Sequence, residues 1–259
     1  MKILIAVPAY NCSKQIGRVI QQYIDSQYKY FEELLIIDNC SSDTTLINSV
    51  EFANQHTQNK ISIIRNETNY GLGGSHKVAF KYATDKGYEG LVILHGDDQG
   101  RLIDIEPHLN KLDLAQYDCI LGTRFMTGSR LIGYSKTRIV GNYLFNWLYS
   151  LCAKEQVCDL GSGLNYFSNR LLKENIHAKM PDDLTFNSAY LLGIIASKRT
   201  IKFIPITWRE EDQISNVKLV SQTAKLISYL FKYLSVKKKF LKTDFRDIKR
   251  DNYSYIKIK

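Results

Sequence analysis

Leu91-Val92-Ile93-Leu94-His95-Gly96-Asp97-Asp98-Gln99 is an apolar run that breaks abruptly into a polar, acidic turn. A continuous apolar run of this length reads as a strand buried on both faces of a parallel sheet. In such sheets ligands bind beyond the carboxyl ends of the strands, so the turn stands where chemistry is sought. Asp97 and Gln99, two residues apart, project from the same side of an extended segment and offer hard oxygen donors to one divalent cation, Mg²⁺ or Mn²⁺. Asp98 points elsewhere. A cation held there stabilises negative charge on a departing diphosphate. The plainer alternative is a turn whose Asp caps a helix.

The same strand-then-turn pattern recurs on either side of this segment. Residues 2–7, 34–37, 61–64 and 119–121 read as further strands, each followed by helical spacing of apolar residues. The expectation is an α/β fold: a doubly wound, mostly parallel sheet with helices on both faces. The strand-end segments are Pro8-Ala9-Tyr10-Asn11, Asp38-Asn39-Cys40-Ser41-Ser42-Asp43, the stretch 66–74, and the acidic turn already quoted. Beyond them, residues 138–152 and 184–196 read as helices and 164–167 and 201–206 as strands. A long helix is expected over 217–240, ahead of a polar, basic tail. This divides the chain into a domain over 1–216 and a basic amphipathic helix and tail over 217–259.

The 259 residues are 44% hydrophobic and 24% charged, as in a globular protein with a sizeable core. No apolar run approaches the roughly 20 residues that span a bilayer, and the first eight residues, broken by Pro8, do not read as a secretory signal. A cytoplasmic protein is expected, at most peripheral on the inner face of a membrane. Cys12, Cys40, Cys119, Cys152 and Cys158 form no metal-binding pair such as C-x-x-C, and free thiols are expected. The net charge of +9 calls for an anionic partner or a role in solubility. Nucleic acid is set aside, because no helix-turn-helix, zinc finger or aromatic single-strand platform is visible. The basic residues gather instead around an arginine loop and the last helix. There Lys218, Lys225, Lys232 and Lys239 recur every seven residues, as do Val220, Ile227 and Leu234, giving a basic and an apolar stripe. Two readings stay open: the helix lies on an anionic membrane, or it packs its apolar stripe on the domain with lysines in solvent.

Taken in order, Pro8-Ala9-Tyr10-Asn11, Ile37-Asp38-Asn39-Cys40-Ser41-Ser42-Asp43, Asn69-Tyr70-Gly71-Leu72-Gly73 and His95-Gly96-Asp97-Asp98-Gln99 resemble the motif series of the family 2 inverting glycosyltransferases of GT-A fold. Within them the chain most resembles the dolichol-phosphate and polyprenyl-phosphate sugar synthases, over about residues 1–220. The resemblance implies a nucleotide diphosphate sugar as donor and a lipid phosphate or lipid-linked glycan as acceptor. It implies that Pro8 and Tyr10 border the nucleoside, with Asn11 beside them, and that Asp38 or Asn39 hydrogen-bonds the base. Asn39 stands where a second Asp is commoner, which changes the donor and acceptor pattern offered to the base. His95 replaces the first acid of D-x-D, leaving Asp97 and Gln99 as metal ligands. His95 is either a third ligand or a loop-holding imidazole. Gly71, Gly73 and Gly74 allow close backbone approach ahead of a helix whose N–H groups suit an anion. His76 and Lys77 stand where relatives place a basic residue towards the phosphates.

Gly122-Thr123-Arg124-Phe125 and the later Arg138 resemble the family's G-S-R-F and second arginine, implying contacts from Arg124 and Arg138 to an acceptor phosphate. A solvated basic loop is the alternative, and it is the reading taken for Arg130 and Lys136. Asp159-Leu160-Gly161-Ser162-Gly163 resembles an acceptor-side element, through Ser162 and Gly163. Trp208-Arg209 with Ser215-Asn216-Val217-Lys218 resembles an element that closes over the diphosphate, making Arg209 and Lys218 candidates. A polyprenyl phosphate attacks without losing a proton, whereas a sugar hydroxyl, as in surface polysaccharide synthesis, needs a base. Asp182-Asp183 resembles the element that supplies one, with Asp183 as that base; both acids also suit a helix start. A nucleotidyltransferase would carry a glycine-rich signature after the first strand, where Pro8-Ala9-Tyr10-Asn11 stands instead. A non-catalytic nucleotide-sugar binder remains as a third reading, given His95 and Asn39.

Overall fold

The structure is a computed structural model that describes residues 1–212, 219–235 and 237–259, and among these the side chains of 219–221 and 237–238 are left aside. The Ser215-Asn216-Val217-Lys218 element and the expected boundary at 216/217 lie outside the described residues, as does the side chain of Val220.

The strands are β1 (Ile3–Ala9), β2 (Phe31–Asp38), β3 (Ile61–Asn66), β4 (Gly90–Leu94), β5 (Cys119–Thr123), β6 (Arg130–Ile132), β7 (Leu164–Ser168), β8 (Ile201–Pro205), β9 (Thr207–Arg209) and β10 (Tyr255–Lys257). The helices are α1 (Ile16–Asp25), α2 (Thr45–Gln55), α3 (Gly71–Asp85), α4 (Leu102–Lys111), α5 (Lys136–Ala153), α6 (Asn169–Lys173), α7 (Phe186–Ala196), α8 (Leu219–Ser235) and α9 (Lys237–Lys242). Eight strands form one sheet in the order β10-β3-β2-β1-β4-β7-β5-β8, and β6 pairs with β9 in a small second sheet. Within the large sheet, β7 is antiparallel to β4 and β5, and β10 is antiparallel to β3; the other pairs are parallel. The expected α/β, mostly parallel sheet is present.

Period-two alternation explains how continuous apolar strands serve two cores. In β1, Leu4 and Ala6 face one side, where α3, α5, α6, α7 and α8 contribute Phe80, Tyr149, Leu171, Tyr190 and Tyr233. Ile3, Ile5 and Val7 face the other, against Ile16, Val19 and Ile20 of α1 and Ile105 of α4. Both faces of the sheet are therefore dry, and its carboxyl edge is left for ligands. All five cysteines are free thiols.

The C-terminal region differs from the expected helix with a polar tail. The chain folds back, and β10 adds to the outer edge of β3. Tyr253 and Arg250 reach Asp182, with Tyr253 Oη 2.7 Å and Arg250 Nη1 2.8 Å from its carboxylate. On α8 the inward residues are Tyr229, Leu230 and Tyr233, while Ile227 and Leu234 of the expected apolar stripe are exposed. The seven-residue spacing identified a face, but core packing selected the neighbouring one.

Candidate active site

Three strand ends meet at the middle of the carboxyl edge. β2, β1 and β4 are neighbours, and the turn after each holds one non-glycine residue in the left-handed region: Cys40 (φ 61), Asn11 (φ 52) and Asp98 (φ 57). Such residues are uncommon and concentrate where surrounding bonds over-determine the backbone. Here the loops clasp each other. Asn11 N donates to Ser41 Oγ and Ser42 N to Asn11 Oδ1; Cys12 N donates to Thr45 Oγ1, and Ser13 N to Asp43 Oδ2. Gly96 N donates to Pro8 O at 3.0 Å, and a Cβ on Gly96 would lie 3.0–3.1 Å from Cys12, Ala9 and Pro8.

At this pole Pro8 is buried and Tyr10 holds an exposed ring beyond β1. Asp38 is fully buried; Oδ1 accepts from Ser41 N, and Oδ2 lies 3.4 Å from Arg65 Nε with no hydrogen bond among the described residues. Asn39 is committed to the fold. Its Nδ2 donates to Asn69 Oδ1 at 2.8 Å, and its Oδ1 accepts from Asn66 Nδ2 and Tyr70 N, so the side chain ties β2 to the glycine-rich turn.

Asp97 and Asp98 diverge. Asp97 is partly exposed in a recess of protein, where burial, followed by the charge of Asp98, pushes its carboxyl up to about 6 despite a hydrogen bond from Gln99 N. Asp98 is buried and accepts from Arg18 Nε (2.7 Å), Gln22 Nε2 (2.7 Å) and Arg209 Nη2 (3.1 Å). A recessed carboxylate whose charge is disfavoured, with the amide of Gln99 two residues on, fits one flank of a cation shared with a diphosphate. Mg²⁺ in particular is usually held by one or two carboxylates together with substrate phosphates. No group of three His, Cys, Asp or Glu among the described residues is placed to hold an ion by itself. His95 is turned away from this flank. Its Nε2 lies 3.2 Å from His76 Nε2, its N donates to Gly163 O, and its ring occupies the space a Cβ on Gly163 would need, at 2.6 Å. Burial, then the charge of Arg124, lowers its pKa to about 4, so the imidazole is neutral near pH 7.

The glycine-rich turn departs from expectation. A Cβ on Gly71 (φ 73) would lie 2.4 Å from Asp182 O, and one on Gly73 2.3 Å from Pro181 O. Gly73 N donates to Asp182 O. The close backbone approach is therefore to the chain's own 181–182 segment rather than to a phosphate. Nor do His76 and Lys77 face an open surface. His76 is fully buried between the rings of Phe80, Phe186 and His95, and burial lowers its pKa. Lys77 Nζ, also buried, donates to Met180 O, Asp182 Oδ1 and Tyr253 Oη, which accounts for all three of its protons.

A second pole lies beyond β5. Arg124 is 11% exposed and forms a bidentate pair with Asp159 (Nε–Oδ2 and Nη2–Oδ1, both 2.8 Å), while Nη2 also donates to Gly161 O. Trp208, Phe125 and Tyr134 surround the guanidinium. Arg124 thus orders the 159–163 loop, its donors turned inward. Ser162 is buried and donates to Gly122 O; Gly163 lies under His95. Arg138, in the first turn of α5, pairs with Glu210 at 2.6 Å and lies over Tyr134, with part of its surface open. Arg209 reaches Asp98 from β9, and its Nε is buried with no hydrogen bond among the described residues. Asp183 is partly exposed. Its Oδ1 accepts from Thr185 N and Oγ1 and its Oδ2 from Lys225 at 2.6 Å, and these bonds, acting against burial, hold its pKa below the usual value.

Sequence reasoning passed over Glu210, Lys225 and Asp159 as site-building residues. Asp159 and Glu210 each stood inside or beside a quoted motif, and an acid next to an arginine-rich element is the signal that identifies them. Lys225 had only its place in a seven-residue repeat.

The family model described as Glycosyl transferase family 2 matches residues 4–181. A UDP-N-acetylglucosamine–dolichyl-phosphate N-acetylglucosaminyltransferase of Methanococcus voltae is 27% identical over 190 residues, covering 68% of this chain and 74% of that one. An undecaprenyl-phosphate mannosyltransferase of Micrococcus luteus is 22% identical, with 82% and 85% covered. Among solved structures, glucosyl-3-phosphoglycerate synthase from Mycobacterium tuberculosis in complex with UDP superposes with a TM-score of 0.64 at 14% identity, over 91% of this chain and 80% of that one. The same enzyme has been crystallised with Mn²⁺, UDP and glucosyl-3-phosphoglycerate.

Proposed function

The chain belongs to glycosyl transferase family 2 and is a glycosyltransferase, and from that premise we propose that it moves a sugar from a nucleotide diphosphate to a polyprenyl phosphate, with inversion at the anomeric carbon. The observation that carries the acceptor class is the state of Asp183. Both its oxygens are hydrogen-bonded and its pKa is lowered, which makes it a weak base for a sugar hydroxyl. An acceptor phosphate is already ionised and needs none. The relatives named for dolichyl and undecaprenyl phosphate support the same choice.

In this reading Tyr10 borders the nucleoside, and the Asp38 carboxylate, fully buried here, accepts from a base N–H only once the loop over it opens. Asp97 and Gln99 hold a divalent cation together with the diphosphate, and that ion, when bound, stabilises the leaving charge. Arg209 lies within reach of the same charge. Arg138, partly open at the head of α5, meets the acceptor phosphate, while Arg124 acts on the acceptor indirectly, by holding the 159–163 loop through Asp159. A sugar hydroxyl acceptor with Asp183 as base is the second reading, favoured by the carboxylate's partial exposure.

The test is transfer from a panel of nucleotide sugars to a short-chain polyprenyl phosphate, with and without Mn²⁺ or Mg²⁺. Metal-dependent transfer is expected, and Asp97→Ala should lower turnover by roughly 10²–10³-fold, the scale of losing one preorganised electrostatic group. If no nucleotide sugar is consumed under any metal, or if Asp97→Ala turns over normally, the reading fails.

A further inference from the structure

The geometry points to a docking surface for an anionic lipid bilayer, formed by the outward faces of α5 and α8 and the basic helix α9. α5 turns Asn146, Tyr149 and Ala153 inward. Its outer face carries Val140, Tyr143, Leu144, Trp147 and Leu151, all more than half exposed. Their spacing of three and four residues places them in one stripe along the helix. α8 repeats the pattern, with Ile227, Phe231 and Leu234 exposed at the same spacing beside its buried Tyr229, Leu230 and Tyr233. The two helices are joined where Tyr149 Oη donates to Leu226 O at 3.0 Å. Single exposed apolar residues need no explanation, but two stripes on adjoining helices mark an interaction site.

Charge selects the occupant. α5, α8 and α9 contain no Asp or Glu. Lys136, Lys232, Lys239 and Lys242 are exposed and in no ion pair among the described residues. An apolar stripe bearing Trp and Tyr, bordered by lysines, matches the acyl boundary and headgroups of an anionic leaflet. A second copy packed on this face about a two-fold axis would set the same lysines against one another. No helix among the described residues is long and apolar enough to cross a membrane, so the contact is interfacial. Docking in this way brings the start of α5, where Arg138 pairs with Glu210 over Tyr134 on the side away from the apolar stripe, alongside the leaflet that presents a lipid phosphate. That last step rests on the lipid-phosphate reading; the docking itself rests on the surface alone.

The experiment is co-sedimentation of the full chain with vesicles of phosphatidylcholine or of an equal mixture with phosphatidylglycerol, without nucleotide sugar or acceptor. Binding to the mixed vesicles is expected at no less than ten times the affinity for neutral ones. Trp147 is a built-in reporter, because the other tryptophan, Trp208, is buried: its emission should shift to the blue on binding. The combined variant Trp147→Ser, Leu151→Ser and Phe231→Ser, confined to exposed positions, should keep its melting temperature and its transfer to a soluble short-chain acceptor while losing vesicle binding. No vesicle binding by the natural chain overturns the docking surface, and so does undiminished binding by the variant. So does a dimer in gel filtration that the variant abolishes without any vesicle binding. Vesicle binding without transfer to any polyprenyl phosphate leaves the surface standing and refutes the acceptor reading.

Discussion

The two poles of the cleft are built differently. At the pole proposed for the donor, the residues proposed to meet the nucleotide stand at or just after the ends of β1, β2 and β4, so the sheet positions them as soon as it forms. At the acceptor pole, each exposed or ordering side chain is held by a partner from a distant segment. Arg124 is held by Asp159, 35 residues away, Arg138 by Glu210, 72 away, and Asp183 by Lys225, 42 away. The 181–182 segment is held by Lys77 and by Tyr253 and Arg250 of the returning tail. One pole depends chiefly on strand ends, with Asp98 alone paired to distant arginines, and the other on charge pairing throughout, so the two should fail largely separately.

The largest expected effect comes from breaking the most buried of those pairs. Asp159→Ala leaves the Arg124 guanidinium enclosed by Trp208, Phe125 and Tyr134 with no carboxylate. An uncompensated charge of this kind costs about 3–5 kcal/mol, to be read as a lower denaturation midpoint with an unchanged m-value. Nucleotide affinity of the remaining folded protein should stay within about twofold, as sites without shared partners are close to additive. A parallel fall in nucleotide affinity would show that the poles are one cooperative unit.

A smaller effect is expected from changing the donor pole towards the commoner motif. In Asn39→Asp, a carboxylate oxygen replaces the amide that donates to Asn69 Oδ1, an oxygen that also accepts from Gly71 N. Two acceptors then face each other, and the cost is about 1–3 kcal/mol, measurable by thermal melting. Unchanged stability would mean that Asn69 reorients freely, and that the tie from β2 to the glycine-rich turn is weaker than the geometry implies.

The same contrast decides what was legible in the sequence. Strand ends could be read because apolar runs announce where they stop, and so the strand-end positions of Asp38 and Asp97 and the divergence of Asp98 followed from position and period. The glycine-rich turn misled because Gly71 and Gly73 signal close approach without saying to what; the partner proved to be Asp182 and Pro181, more than a hundred residues on. Lys77 misled likewise, since a lysine near a helix start looks available for phosphate until its partners, from residues 180, 182 and 253, are known. Strand β10 was illegible because a three-residue edge strand is specified by the sheet it joins. On α8 the seven-residue spacing picked out the stripe of Ile227 and Leu234, which is outward, one of the two placements left open, but not the inward Tyr229, Leu230 and Tyr233, because only tertiary contacts choose which stripe is covered.

The smallest effect tests whether the acceptor pole performs acid–base chemistry at all. Lys225→Met removes the ammonium that holds Asp183 below the usual carboxylate range and leaves the Thr185 bonds in place. Because the folded pKa is depressed, the pair contributes stability above the unfolded carboxylate pKa of about 4 and loses it as pH falls through the folded value. Both side chains are more than a third exposed, so screening limits this to about 0–1 kcal/mol, and the variant should melt almost normally at pH 7. The Lys225 pKa is raised, so the stability it contributes is fully present below its ordinary value near 10.5 and is lost only as pH rises beyond that, outside the assay range. Activity separates the acceptors more sharply than stability does. If Asp183 takes a proton from a sugar hydroxyl, relaxing its pKa upward moves the acid limb of the kcat/KM profile to higher pH. If the acceptor is a phosphate, no limb belongs to Asp183, and the profile keeps its shape in the variant. A shifted limb would transfer the acceptor assignment from lipid phosphate to hydroxyl, whereas an unshifted one confines Lys225 and Asp183 to fastening α8 beside the cleft.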